Sequence, residues 1–386
     1  MVARSRRNTE CRNWRNNRGE CRANHRSGRG LHRGLFGRVV TSGRTSLGSL
    51  AALATLSGAF TAGLSSAAYA NTTTSSQPTV TFNDALFAYN SGDKITALSH
   101  AKIAARVGSA DAAVMAGYIL RNGETDTINL TDAKSWYIQA ANQNHPDALV
   151  ALGEMAIKNE AGLTQSDAIS YLTRASDMGR TDAMRALSDL YRTGQGTVPN
   201  AKKSETLLKK ASESFDRDAT KRLGDSYFEK DPKKALKYYE DAADAGHIEA
   251  AYIAGVMYAE NYEIRPNSTK SASLLKQAAE GGHAAAQADY GLLVYQGYGA
   301  TRSDTEAAKW FEKSAKGGDK EGQFLYAFTL AKGEGVTQSY EEAYYWLLKS
   351  DQSGNDDYDK DRAELKKRLE ANVDSATLDR ARARVN

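Results

Sequence analysis

Residues 307–318 read Ala-Ala-Lys-Trp-Phe-Glu-Lys-Ser-Ala-Lys-Gly-Gly. Apolar residues recur there at three and four, the period of a helix with one buried stripe, and a glycine follows as a stop. The same pattern returns upstream and downstream in fixed register. Its bulky residue, Trp310, belongs to a column with Trp136, Tyr171, Leu207, Tyr238, Leu274 and Trp346. Four residues on lies a small residue: Ala140, Ala175, Ala211, Ala242, Ala278, Ser314 and Ser350. The unit closes at Asn144, Gly179, Phe215, Gly246, Gly282, Gly318 and Gly354. Two further small columns precede these. Ala112, Ala148, Ala183, Ala219, Ala250, Ala286 and Gly322 open each unit, at intervals of 36, 35, 36, 31, 36 and 36 residues. Five residues later come Gly117, Gly153, Ser188, Gly224, Gly255, Gly291 and Ala327.

Five columns in register through seven units specify a helical repeat rather than an array of unrelated domains. Glycine inside a helix costs up to about 1 kcal/mol of propensity, so its recurrence implies a close helix–helix approach. The Trp/Tyr/Leu column is expected to fill the space beside that crossing, at about 1.5–3 kcal/mol per buried large side chain. The terminal glycine supplies the left-handed residue that ends the second helix. The expected fold is all-α: a right-handed α-solenoid of about seven to eight antiparallel helix pairs. Residues 82–108 read as a shortened first unit, with Ala104-Ala105 and Gly108 in register. Residues 358–386 read as capping helices, because a terminal repeat cannot bury both faces.

These columns resemble the Sel-one-like repeat family, relatives of the tetratricopeptide repeats. The pattern is A-x-x-x-L-G-x-x-Y, a G-x-G-V loop, then A-x-x-W-Y-x-K-A-A-x-x-G-(H/D)-x-x-A. Residues 235–250, Ala-Leu-Lys-Tyr-Tyr-Glu-Asp-Ala-Ala-Asp-Ala-Gly-His-Ile-Glu-Ala, match its second helix, and the resemblance covers residues 82–357. Departures are Asn144 and Phe215 at the stop position and Ser204 and Ser271 at a usual alanine. They weaken single units, chiefly the third, and leave the architecture intact.

The first 70 residues differ from the rest, with twelve arginines, no lysine and two acids, Glu10 and Glu20. A mildly apolar stretch, Leu47 to Leu64, leads to Ala68-Tyr69-Ala70. A basic n-region, an apolar h-region and an A-x-A site read as a secretory signal cleaved after Ala70. A retained anchor and a basic nucleic-acid-binding tail are the alternatives, and the Gly/Ser/Thr-rich h-region disfavours the first. The organisation is therefore a basic leader and signal peptide (1–70), a polar linker (71–81), repeats (82–357) and capping helices (358–386). Removing 12 Arg and 2 Glu leaves 39 basic against 45 acidic residues, so the net charge of +4 becomes −6. The basicity belongs to export and gives nucleic-acid binding no support. Both cysteines, Cys11 and Cys21, lie in the leader. The mature chain thus has no disulfide, thiol nucleophile or cysteine-ligated metal. No apolar run after residue 70 approaches the ~18–20 residues of a membrane span.

Catalytic signals are scarce, and no cofactor or metal is expected. The mature histidines are His100, His145, His247 and His283; the last three follow the stop residue of their units and read as structural turn residues. None are spaced three or four apart, as a zinc site would offer. The loops Gly194-Gln-Gly196, Gly297-Tyr-Gly299 and Gly333-Glu-Gly335 lack a G-K-[ST] ending and recur with the unit, against a phosphate-loop reading. By analogy with tetratricopeptide units, the concave face would carry Tyr118 and Arg121, then Arg185, Asp189 and Arg192. Lys221, Asp225 and Phe228 would follow, then Tyr252, Tyr295, Phe324 and Phe328. Such a groove is charged in its middle and aromatic toward its end, and aromatic and Arg anchors suit partner hot spots. The competing reading packs Tyr295, Phe324 and Phe328 against the neighbouring repeat.

The expectation is a non-catalytic, exported scaffold, periplasmic or secreted, that binds another envelope protein or a peptide segment. The resemblance implies two versions: a regulator on the sensor domain of a signalling kinase, or an assembly factor in exopolysaccharide or cell-wall production. Two alternatives stand beside it. One is a β-lactam-binding or -hydrolysing enzyme, whose family cysteines are missing here. The other is a quality-control adaptor of a eukaryotic secretory pathway, with Asn129 and Asn267 in N-x-[ST] triplets. Oligomeric state is left open.

Overall fold

A computed structural model describes residues 80–260, 264–351 and 358–385; the leader and most of the linker lie outside these. The described residues form 18 α-helices and no strand. In order they are α1 (Phe82–Asn90), α2 (Lys94–Arg106), α3 (Ala110–Asn122), α4 (Leu130–Asn142), α5 (Pro146–Ile157) and α6 (Gln165–Asp177). Next come α7 (Thr181–Thr193), α8 (Ala201–Glu213), α9 (Arg217–Tyr227), α10 (Pro232–Asp244), α11 (Ile248–Ala259) and α12 (Ser268–Glu280). The chain continues through α13 (Ala284–Gln296), α14 (Asp304–Lys316), α15 (Lys320–Lys332), α16 (Tyr340–Asp351), α17 (Asp359–Asn372) and α18 (Ser375–Ala383). Residues 72–352 and 365–386 make up one unit, which holds the repeats. The other unit is described only over residues 358–364, the start of α17, where Arg362 pairs with Asp359 at 2.6 Å.

From α1 to α16 each helix packs on its neighbours in the chain, so consecutive pairs stack as an all-α solenoid. First helices also touch directly between successive units, at α1–α3, α5–α7 and α13–α15. The crossing within each unit is where the small column matters. A Cβ on Gly117 would come within 2.8 Å of the Tyr137 ring, on Gly224 within 2.6 Å of Tyr239, and on Gly291 within 2.8 Å of Phe311. Gly153 and Gly255 stand in the same relation to Leu172 and Leu275. The residue that fills the crossing is therefore the one after the Trp/Tyr/Leu column. Tyr137, Leu172, Leu208, Tyr239, Leu275, Phe311 and Leu347 are all buried, whereas Trp136, Tyr171, Leu207, Tyr238, Leu274 and Trp346 are half-buried at its edge. The third unit replaces the glycine with Ser188, whose hydroxyl shares a buried 2.7 Å hydrogen bond with Ser204.

The turns follow local chemistry. Gly179, Gly246, Gly282 and Gly318 adopt φ between 81° and 90°. Asn144 and Phe215 hold the same left-handed position at φ 58° and 64°, so the departures from glycine change the residue and not the turn. At the other end of the second helices, Asn129, Thr164, Asn200, Asp231, Asn267 and Ser303 each accept a backbone N–H through their side chains. This is a further column in register. At the C-terminal end, α18 packs on α16, with Arg380 on Glu341 and Arg382 on the Tyr344 hydroxyl.

Candidate binding surface

The second glycine of the G-x-G loops has a steric role. Side chains at Gly196, Gly299 and Gly335 would overlap the backbone carbonyls of Gln165, Ser268 and Asp304. Each of these residues begins or lies beside the start of the second helix one repeat earlier. The loop is thus a close contact between repeats, and only glycine fits where it meets the preceding helix start.

The charged side chains predicted for the concave face lie on the first helices, and Arg121, Arg185, Asp189 and Lys221 meet the next repeat. Arg121 reaches Glu154 at 3.0 Å and Glu160 at 3.1 Å. Arg185 holds Asp216 at 3.0 Å and Asp218 at 3.2 Å. Asp189 takes Arg222 at 2.6 Å, and Lys221 spans Asp225 at 3.1 Å and Glu249 at 3.4 Å. The Tyr295 hydroxyl donates to Glu334 at 2.5 Å. A ladder of charged and polar pairs therefore staples successive first helices together. Isolated surface pairs contribute at most about 1 kcal/mol each, so the ladder fixes register more than it adds stability. Burial pushes the Asp216 carboxyl up, but the Ala219 N–H, Thr181 and Arg185 outweigh it and hold it below the usual carboxylate range.

The aromatic members divide. Phe228 is buried against Tyr239, with ring centroids 6.4 Å apart. Tyr252 is buried and stacks on His283 at 4.3 Å, and Phe324 is buried as well. Tyr118, Tyr295 and Phe328 are half-buried, and Lys332 sits 4.4 Å from the Phe328 ring. Arg192 is the most open of the twelve, at 66% exposure, followed by Asp189 and Asp225. What the structure leaves accessible is thus a polar patch on α7 and α9, with aromatic edges on α3, α13 and α15. The partners Glu154, Glu160, Asp216, Asp218, Arg222, Glu249 and Glu334 were not among the expected residues. Their signal was opposite charge or hydrogen-bonding capacity about one repeat away, between 31 and 39 residues for the hydrogen-bonded pairs.

The histidines that follow the stop residue do structural work. His247 Nδ1 and His283 Nδ1 accept the N–H groups of Ala250 and Ala286, at 3.2 and 3.1 Å, and so cap α11 and α13. His145 turns its Nε2 to Asp111 at 3.0 Å. Among the described residues no three His, Cys, Asp or Glu side chains gather as a metal would require. A concavity lined by Tyr344, Leu348, Asp351, Lys366, Glu370, Arg382 and Val385 is open to solvent.

A family model described as Sel1 repeat matches residues 110–145, 181–214, 222–247, 248–283, 284–319 and 320–354. The chain belongs to the Sel1 repeat family. Residues 146–180 fall outside the matched segments, yet they form α5 and α6 with the same crossing, Gly153 against Leu172. Among solved structures, a Sel1 repeat protein from Oxalobacter formigenes is similar over 75% of this chain and 86% of its own, at 23% identity and a TM-score of 0.61. A protective antigen of uropathogenic Escherichia coli strains, displaying an SLR fold, is similar over 79% and 82%, at 19% identity and a TM-score of 0.36. No curated protein matches the chain. Sel1 repeats are scaffolds for protein–protein interaction, and this chain is a scaffold of that kind. No helix among the described residues is long and apolar enough to cross a membrane.

Proposed function

We propose that this Sel1-repeat protein is exported by its leader, and that it acts in the cell envelope as a non-catalytic scaffold or regulator. One observation carries the binding mode: the accessible part of the first-helix face is an extended polar patch built on Arg192, Asp189 and Asp225. Such a surface suits a folded protein domain or an extended peptide with both charge signs. The basic, A-x-A-terminated leader supports export. Within the envelope, the reading favoured is a component of exopolysaccharide production or of the sensor kinase that controls it.

Two measurements test this. The N-terminal residue of the protein recovered from its producing cells should be Asn71; an intact leader on all of it ends the export reading. Affinity capture from envelope extracts should retain a kinase ectodomain or a polysaccharide-export protein, and Arg192→Glu with Asp225→Lys should release it. Capture unaffected by that pair removes this face from the proposal.

A further inference from the structure

The repeats serve as one another's controls. Near the start of each second helix lies a buried small residue, Ala97 in α2 and then Ala133, Ala168, Ser204, Ala235, Ser271, Ala307 and Ala343. The residue two before it and the residue six after it lie on the face turned away from the core. In α2 these are Ile95 and Ile103, 70% and 40% exposed, with exposed Ser99 midway between them. The first of these positions is polar in every later repeat: Thr131, Ser166, Lys202, Lys233, Thr269, Thr305 and then Glu341. The second is polar too, and in three repeats it has a defined task. Gln139, Arg174 and Gln277 reach back to the carbonyls of Ala105, Ala141 and Ala243 at 2.6, 2.7 and 2.6 Å, joining each repeat to the one before. No repeat precedes α1 and α2 among the described residues. Ile103 thus faces the place a preceding repeat would take, and it offers an apolar surface there. Phe87, on α1 of the same repeat, is 75% exposed, and Val107, just past α2, is 76% exposed. A terminal repeat that simply met solvent would carry a polar outer face. Ile95 and Ile103, two turns apart on one face of α2, instead make an exposed apolar stripe of the kind that marks an interaction site.

We propose that this face is a docking site for a second copy of the chain, α2 against α2 about a two-fold axis through Ser99. Ile95 and Ile103 lie four residues on either side of Ser99, so an antiparallel pairing sets Ile95 of each copy against Ile103 of the other. The three residues form an i, i+4, i+8 ridge, the kind that interdigitates with its like in helix packing. The serine at the centre lets the backbones approach. The ends match in charge: Asp93 caps the start of α2, Arg106 is exposed at its end, and the two-fold brings each to the other. An isologous contact of this type closes on itself and stops at two copies.

Sedimentation equilibrium of the purified full-length chain tests the proposal. A reversible dimer at tens of micromolar is expected. Ile95→Thr with Ile103→Gln, the residues of the next repeat at these positions, should give a monomer of unchanged helicity and thermal midpoint. Ser99→Arg, at an exposed helical position, should do the same if the double variant fails to fold. Arg106→Glu, which sets a glutamate against Asp93, should weaken the dimer several-fold. A wild-type chain that stays monomeric overturns the proposal, as does a dimer indifferent to all three changes. So does a monomer that loses a different captured protein in the double variant, because the face would then belong to that protein.

Discussion

The units at 181–215 and 284–318 share one backbone plan and use opposite chemistry to hold it. In the later unit, Gly291 lets α13 sink onto the Phe311 ring, and Gly318 makes the closing turn. In the earlier one, a hydrogen-bonded pair of serines occupies the crossing, and Phe215, 94% exposed, makes the turn at φ 64°. The repeat therefore specifies the helix approach and the left-handed turn; it does not specify the residues that achieve them. Apolar crossings rest on shape and polar ones on pairing, so the two should fail in different ways.

The largest failure is expected in the later unit. Phe311→Ala opens a cavity at a fully packed crossing and should cost about 3–5 kcal/mol. Because stability in a solenoid is a sum of repeat and interface contributions, hydrogen exchange should show the loss centred on α13 and α14. Protection lost equally in α3 and α4 would contradict that locality. Gly291→Ala separates two opposing effects. Alanine gains about 1 kcal/mol of helix propensity, but its Cβ would sit 2.8 Å from the Phe311 ring and 3.1 Å from the Trp310 Cβ. Overpacking of this kind costs about 1–3 kcal/mol, so the denaturation midpoint should fall; a rise would show that the ring can give way.

In the earlier unit, Ser204→Ala strands the buried Ser188 hydroxyl and should cost about 1–3 kcal/mol, while the double change to alanine should be nearly neutral. Urea midpoints that simply add would mean that the two hydroxyls are not paired.

Acid should distinguish the helix that opens the later unit from the one that follows the earlier unit. His283 caps α13 only while its Nδ1 is unprotonated, as His247 does for α11. Burial pushes His283 down, more than Glu249 and Asp319 push it up. Burial also lowers His247, against Asp218 and Glu249 and with help from Lys221 and Arg217. Folded values below the ordinary 6.5 mean that the unfolded chain binds the proton more readily, so this stability is complete above that pH and declines as pH falls through it. Asp216, which caps α9 after the earlier unit, is held below the ordinary 3.8 and keeps its contribution until far stronger acid. Between pH 7 and pH 5, exchange protection should thus fall in the first turns of α11 and α13 and persist in α9. His247→Asn with His283→Asn should abolish the difference, at a scale of about 1 kcal/mol per cap; loss in α9 first would refute the assignment.

The solenoid was legible because its causes are local. Small residues at a crossing, a glycine at a turn and a period of three to four each leave a mark at one position. Reading the Trp136 column as the crossing residues is one position off, since adjacent apolar residues both satisfy the period and only the facing helix decides which one fills the crossing. The cap column from Asn129 to Ser303 was equally local and was passed over. The binding face was much less legible. Whether Arg185 is an anchor for a partner or a staple to Asp216 depends on a residue in the next repeat, and helical periodicity says nothing about that. Tyr252 and Phe324 have the composition of hot-spot residues and the positions of core residues, and chemistry alone does not separate the two.

The smallest expected effect bears most directly on the opening contrast. Phe215 departs from glycine at a turn whose conformation matches Gly318, φ 64° against 83°. Left-handed backbone costs a residue with a Cβ about 1–2 kcal/mol, and a ring exposed to this degree recovers little by packing. Glycine would relieve that strain, offset in part by the entropy that a more flexible unfolded chain loses on folding, about 0.4–1 kcal/mol. Phe215→Gly should therefore stabilise the third unit by up to about 1 kcal/mol, and the gain should be confined to α8 and α9 in hydrogen exchange. If the substitution instead destabilises the unit, the exposed ring makes a contact that the turn's geometry does not reveal. The earlier unit's departure would then be an adaptation, and the equivalence between the two units would hold only for their crossings.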